Sequence, residues 1–271
     1  MIAIERVVGL AFVQDLGRPG HMHEGIPCGG ALVPERLARA NAAVGNAIGA
    51  AGIERFGAMT LVAQGDLVIA EDGGAARGVR AGERVDLGWD GSVRARYLAV
   101  RGGLDVPVVL GGRGTLIVAG LGGHQGRALR RGDVLAVGAQ TEAETVTVAV
   151  VDDRSPIAVL PGPDAGAYAP GALAALVARP WRLSVRSDRT GTRLEGAAIP
   201  WADDAPAART TPMIAGAIEL PPSGEPIVLG PDHPTTGGYP VVALIAARDL
   251  GRFHTIALGR EVRFARAARG D

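Results

Sequence analysis

The residues best suited to chemistry gather in Gly230-Pro231-Asp232-His233-Pro234-Thr235-Thr236-Gly237-Gly238-Tyr239-Pro240, where an acid, an imidazole and hydroxyls sit among turn formers between two apolar runs. A loop of this kind can aim backbone N–H groups at an anion or a developing oxyanion. It also suits a tight corner of a β-barrel. Leu110-Gly111-Gly112-Arg113-Gly114-Thr115 sets one arginine among glycines. Backbone there can approach a ligand closely and the guanidinium can grip a carboxylate with two bonds, although a solvated charge would fit the same residues. Ser187-Asp188-Arg189-Thr190-Gly191-Thr192-Arg193-Leu194-Glu195-Gly196 presents Arg189 or Arg193 either to a site or to the acids beside them.

Other chemistries drop out. His21-Met22-His23-Glu24 places two imidazoles and a carboxylate close together, which falls short of a ligand set, so no metal is expected. Cys28 is the single cysteine; it has no internal disulfide partner and no activating neighbour, which fits an inert thiol and a cytoplasmic location. All 28 basic residues are arginine. Without lysine the chain cannot form a Schiff base, use a Walker lysine or carry covalent biotin or lipoate, so such a carrier must be another chain. There is no G-x-S-x-G elbow, and Gly120-Leu121-Gly122-Gly123-His124-Gln125-Gly126 misses the dinucleotide spacing. A formal net charge of +0 gives no reason to expect nucleic acid. No apolar stretch reaches transmembrane length, and residues 1–13 read as a strand rather than a signal peptide.

The elements that must hold these loops are mainly β. With 41 Gly and 18 Pro, apolar runs are cut to strand length at 67–70, 97–100, 134–137, 145–151, 157–160 and 227–229. Gly65-Asp66, Gly82-Glu83 and Gly132-Asp133 each precede an apolar run, with a looser copy at Gly259-Arg260-Glu261. Glycine reaches positive φ and the acid solvates the turn, which predicts strand starts on a barrel or sandwich. Helices are expected at 34–44, with Pro34 in the first turn and Gly45 as the stop, and at 170–177; residues 241–250 fit a strand or a short helix. At 271 residues two domains are expected, 1–140 and 141–271, divided where a polar, Glu-rich segment interrupts the pattern near 138–145, although one domain of about 250 residues would also fit.

Taken in order, Gln14-Asp15-Leu16-Gly17-Arg18-Pro19-Gly20, Arg39-Ala40-Asn41 with Val44-Gly45-Asn46, Tyr97-Leu98-Ala99-Val100 with Gly102-Gly103, Val109-Leu110-Gly111, Gly126-Arg127 with Gly132-Asp133, Pro161-Gly162-Pro163, Arg189-x-Gly191-x-Arg193-Leu194-x-Gly196, Gly216-Ala217-Ile218 and Thr235-Thr236-Gly237-Gly238-Tyr239-Pro240 span nearly the whole chain. This series resembles the biotin-dependent carboxyltransferase and allophanate hydrolase subunit 2 family, which includes the C-type subunits of 5-oxoprolinase and urea amidolyase relatives. Three places depart from its pattern: Gly111-Gly112-Arg113-Gly114-Thr115-Leu116 stands for G-S-R-S-T-D, Gly216-Ala217-Ile218-Glu219-Leu220-Pro221 for G-A-I-Q-x-P, and Gly30-Ala31-Leu32-Val33 for G-A-M-D.

The resemblance implies two tandem cyclophilin-like β-barrel domains with few short helices, pairing with a B-type subunit of the same complex and in some complexes with an A-type lactam hydrolase. It implies ATP-linked opening of 5-oxoproline to glutamate by the complex. The alternatives are carboxyl transfer from carboxybiotin, held on a separate carrier chain, to urea or a similar amide, and a non-catalytic regulatory partner that antagonises a kinase inhibitor. On the leading reading Arg113 holds a substrate anion, with Asp15 and Asp232 as further catalytic candidates. Arg18, Thr115, Arg189, Thr235, Thr236, Gly237, Gly238 and Tyr239 are the substrate-binding candidates, with Arg113 and the 235–239 loop expected in one cleft.

Overall fold

The computed structural model describes residues 1–140, 155–207 and 209–267. They form two compact units, one of Met1–His21 with Cys28–Val151 and one of Met22–Pro27 with Asp152–Asp271. The strand expected over 145–151, and most of the division expected near 138–145, lie outside the described residues.

The first unit holds two antiparallel sheets. One runs Arg84–Leu87, Met59–Ala63, Ile2–Val7, Val134–Leu135; the other runs Ala11–Gln14, Gly52–Arg55, Arg96–Val100, Leu67–Glu71, Arg77–Val79. Alternation sorts their side chains. Ile2, Ile4 and Leu61 of the first sheet share a core with Val13, Ile53, Ile69, Leu98 and Val100 of the second. The opposite face of the second sheet, at Ala70, Tyr97 and Ala99, is covered by Leu37, Ala40 and Val44 of the helix Pro34–Ala43 and its cap. Arg96–Val100 is thus enclosed on both sides, which is why its sequence is an unbroken apolar run after the arginine. Asn41 and Asn46 fasten the helix end: Asn41 Nδ2 donates to Ala50 O at 2.7 Å, and Asn46 Nδ2 to Val100 O at 2.8 Å.

The second unit is built on an eight-stranded sheet in the order Glu261–Val262, Trp181–Leu183, Gly191–Glu195, Ile227–Leu229, Ala217–Glu219, Val241–Ile245, Ile157–Pro161, Phe264–Arg266. Its two end strands are separated in the chain by Arg263 alone. Laid flat, the seven inter-strand gaps would span roughly 34 Å, whereas one intervening residue reaches about 7 Å, so the sheet is rolled into a nearly closed barrel. Trp181, Leu183, Leu194, Ile218, Val228, Val242 and Phe253 fill its core.

The architecture is mainly β. The described helices are Pro34–Ala43, Ala165–Tyr168, Ala172–Ala178 and Ala247–Thr255, and none is long and apolar enough to cross a membrane. Residues 241–250 prove to hold both elements, since the strand Val241–Ile245 hands over to the helix Ala247–Thr255. Of the four glycines expected before strand starts, three take positive φ, at +81° for Gly82, +91° for Gly132 and +82° for Gly259, and Gly65 does not. The acids do more than solvate their turns: Glu83 accepts the N–H of Arg80 at 3.0 Å and Asp133 that of Arg130 at 2.9 Å, each closing its turn from within.

Candidate functional site

In the first unit the chain between Gln14 and Arg18 is locked to the loop holding Arg113. Asp15 accepts the Gly17 N–H at 2.8 Å on one oxygen and the Arg113 N–H at 2.5 Å on the other. Gly114 lets the two segments close up, since a Cβ there would stand 2.6 Å from Gln14 Oε1 and 2.7 Å from Asp15 Oδ1. Both Asp15 oxygens are thereby engaged with backbone, a carboxylate that shapes the loop. Arg18 is fully buried; it reaches the carbonyls of Gly114 and, at 3.3 Å, Val109, and its Nη1 has no hydrogen-bond partner among the described residues. Thr115, 1% exposed, donates its hydroxyl to Val13 O at 3.0 Å.

Arg113 itself is partly exposed. Its guanidinium contacts the Val106 carbonyl and pairs with Asp105 at 3.1 Å. Beside it a cavity of about 470 Å³ is lined by Asp105, Val106, Val109, His124 and the glycine-rich run 120–126. Arg113 O accepts the Gly123 N–H at 2.8 Å, so that run is tied to the arginine loop. Burial pushes the Cys28 thiol above its ordinary value, which keeps it protonated and poorly nucleophilic.

In the second unit Arg189 and Asp232 come together. Arg189 Nε and Nη2 each donate to one Asp232 oxygen at 2.8 Å, a two-bond pair with both side chains enclosed. The arginine thus reaches Asp232 across the sheet, while Asp188 beside it accepts the Thr190 and Gly191 N–H groups on Oδ1. The pair braces the start of the 230–240 loop, and Gly230 lets the strands close on each other, since a Cβ there would lie 2.2 Å from Arg189 O. Beyond it Thr236, Gly238 and Tyr239 are exposed, with Thr235 and Gly237 half-buried. Among the described residues no cluster of three His, Cys, Asp or Glu side chains is placed to hold a metal.

One residue absent from the sequence-derived site set stands against this loop. Glu219 Oε1 lies 2.9 Å, and Met213 Cε 2.8 Å, from where a Cβ on Gly237 would stand. Burial pushes the Glu219 carboxyl above the ordinary glutamate range. Its signal in the sequence was a carboxylate in the apolar run Ala217-Ile218-Glu219-Leu220, where the resembling pattern carries glutamine.

Rolled and layered, mostly antiparallel sheets carrying glycine-rich loops with buried arginine and carboxylate clasps are the setting in which the comparisons with known proteins fall. Residues 24–266 match the family described as "Carboxyltransferase domain, subdomain A and B", and the chain belongs to that family. It is 33% identical to the C-type subunit of 5-oxoprolinase from Escherichia coli over 99% of this chain and 92% of that protein, and 31% identical to the Haemophilus influenzae protein of the same name over 97% and 90%. Urea amidolyase of Lachancea kluyveri is 28% identical over 93% of this chain but 16% of its own length. Among solved structures, TTHA0988 superposes with a TM-score of 0.85 at 29% identity, and the chain spans 97% of its own length but 55% of that chain. The Kluyveromyces lactis urea amidolyase structure superposes with a TM-score of 0.88 at 25% identity, over 99% of this chain and 19% of that one.

Proposed function

We propose that this chain is the carboxyltransferase-like, C-type component of an ATP-dependent 5-oxoprolinase complex, opening the lactam 5-oxoproline to glutamate together with B-type and A-type partner subunits. The observation that carries this reading is reciprocal coverage: the two C-type 5-oxoprolinase proteins align along nine-tenths or more of both partners, whereas urea amidolyase aligns along 16% of its length. Its cyclophilin-like tandem barrels, like its substrate, belong to this proposal.

Each unit offers one preorganised handle. In the first, Asp15 fixes the backbone of Arg113, whose guanidinium can hold a substrate carboxylate if it exchanges Asp105 for the ligand. In the second, the Arg189–Asp232 pair holds the 235–239 loop in place, so its backbone and hydroxyls need no rearrangement to meet a carbonyl. The chain's own residues do not fit covalent biotin or a phosphate loop that depends on lysine, since it has no lysine. In this reading the family resemblance implies ATP at the level of the complex, and in the carboxyl-transfer alternative biotin arrives on a carrier chain. The test is co-expression with A-type and B-type 5-oxoprolinase partners, followed by glutamate release from 5-oxoproline with ATP. Activity that appears only with all three supports the proposal; turnover of urea with a biotin carboxylase instead, or no stable complex, refutes it.

A further inference from the structure

Glu219 is 6% exposed, and its carboxyl has no hydrogen bond or ion pair with any described residue. Yet neither of its oxygens belongs to the fully buried, unpartnered polar atoms, so the carboxyl tip keeps some contact with solvent while the rest of the residue is enclosed. The enclosure is apolar. The strands packed beside it, Ile227–Leu229 and Val241–Ile245, carry no ionisable side chain, nor does Thr236–Gly237 at the loop. Met213, which flanks Gly237 with it, belongs to a cluster with Ala217, Leu229 and Val241. In the 230–240 loop the ionisable residues are Asp232, taken by Arg189, His233, buried with its Nδ1 2.8 Å from Pro234 O, and Tyr239, which is 45% exposed.

A carboxylate left like this costs stability, because it gives up water without gaining a partner. The neutral acid costs far less and has a donor to spend. Next to it the loop is open at Gly238, where a Cβ would meet nothing within 4 Å, whereas the space beside Gly237 is filled by Met213 and by Glu219 itself. We propose that Glu219 is a ligand-binding residue of the 235–239 loop, its protonated carboxyl donating O–H to the carbonyl oxygen of an uncharged amide, lactam or cyclic-urea group lying over Gly238. The choice of ligand class rests on the amide chemistry proposed above; the carboxyl's availability does not. Burial raises the folded-state pKa, so the donor is present in full below that pKa and is lost as pH rises through it.

The test uses the purified full chain labelled with carboxyl-¹³C glutamate, with Glu219→Gln to assign the resonance. Titration without ligand is expected to give a midpoint above the ordinary 4.5. Saturating 2-pyrrolidinone or 2-imidazolidinone is expected to shift the resonance and raise the midpoint further, and probe affinity should fall about tenfold per pH unit above it. Glu219→Gln, which keeps an N–H donor, should bind the probes with a flat pH profile, whereas Glu219→Leu should lose at least about tenfold in affinity. A Glu219 resonance unmoved by both probes, or wild-type affinity independent of pH, overturns the proposal. Because these readouts need neither ATP nor partner chains, a complex that opens 5-oxoproline while Glu219 ignores both probes discards this inference alone, and a silent complex with a responsive Glu219 discards the assigned activity alone.

Discussion

Replacing Asp232 with alanine should be among the most damaging single changes in the second unit. Arg189 Nε and Nη2 each sit 2.8 Å from a carboxylate oxygen, with side-chain exposures of 7% and 1%, so the variant removes both of these bonds from an enclosed guanidinium. Breaking one side of such a buried pair costs about 3–5 kcal/mol. For a unit of roughly 120 residues, with unfolding entropy of about 2.1 cal/mol/K per residue, each kcal/mol moves the midpoint by about 4 °C. The expected drop is therefore about 12–20 °C, read by thermal and urea melts followed by circular dichroism. The double variant Arg189→Met with Asp232→Leu should recover most of that loss, because removing both charges leaves nothing uncompensated. An Asp232→Ala loss below about 1 kcal/mol, or a double variant that loses the sum of the two single changes, would refute the assignment of this pair as the brace of the 230–240 loop.

Arg113→Ala should lower turnover of the reconstituted complex by about 10² to 10³ and Arg113→Lys should rescue poorly, while the exposed pairing with Asp105 limits the stability change to about 1 kcal/mol; near-normal turnover would remove Arg113 from the site. Gly230→Ala should cost about 1–3 kcal/mol in urea unfolding, since its Cβ would meet Arg189 O at 2.2 Å, whereas Gly238→Ala, facing open space, should stay within about 0.5 kcal/mol. Asp133 is held down to about 2, first by the hydrogen-bonded Arg127 guanidinium. Its contribution to stability is present above the ordinary 3.8 and drains away as pH falls towards 2, so Arg127→Ala should move its NMR midpoint upward and flatten that acid limb.

What could be read from the sequence was what local chemistry decides. Pro34 and Gly45 bracket one helix, and the glycine-acid pairs before Arg84 and Val134 mark strand starts, because turn and cap preferences act over three or four residues. Arg189 was singled out but its bond to Asp232 was not, since the two lie 43 residues apart and only strand pairing brings them together. Asp15 was legible as a special residue but not as an acceptor for the Arg113 backbone, a contact across 98 positions. Glu219 escaped the candidate set because a lone carboxylate in a short strand reads as solvent-facing until the residues beside it are known.

The single-residue link at Arg263 has a consequence during synthesis. The strand Ile157–Pro161 must wait, unpaired on one side, until Phe264 has been made, because Ile157 and Phe264 are partners in the same ladder. More than a hundred residues therefore leave the ribosome before the barrel's seam can be sewn, and until then two strand edges stand open to other chains. Among the described residues the core of the first unit ends at Val137. A nascent chain of this protein is thus expected to carry an unsealed second unit for several seconds at ordinary elongation rates, the interval in which a chaperone would find its substrate.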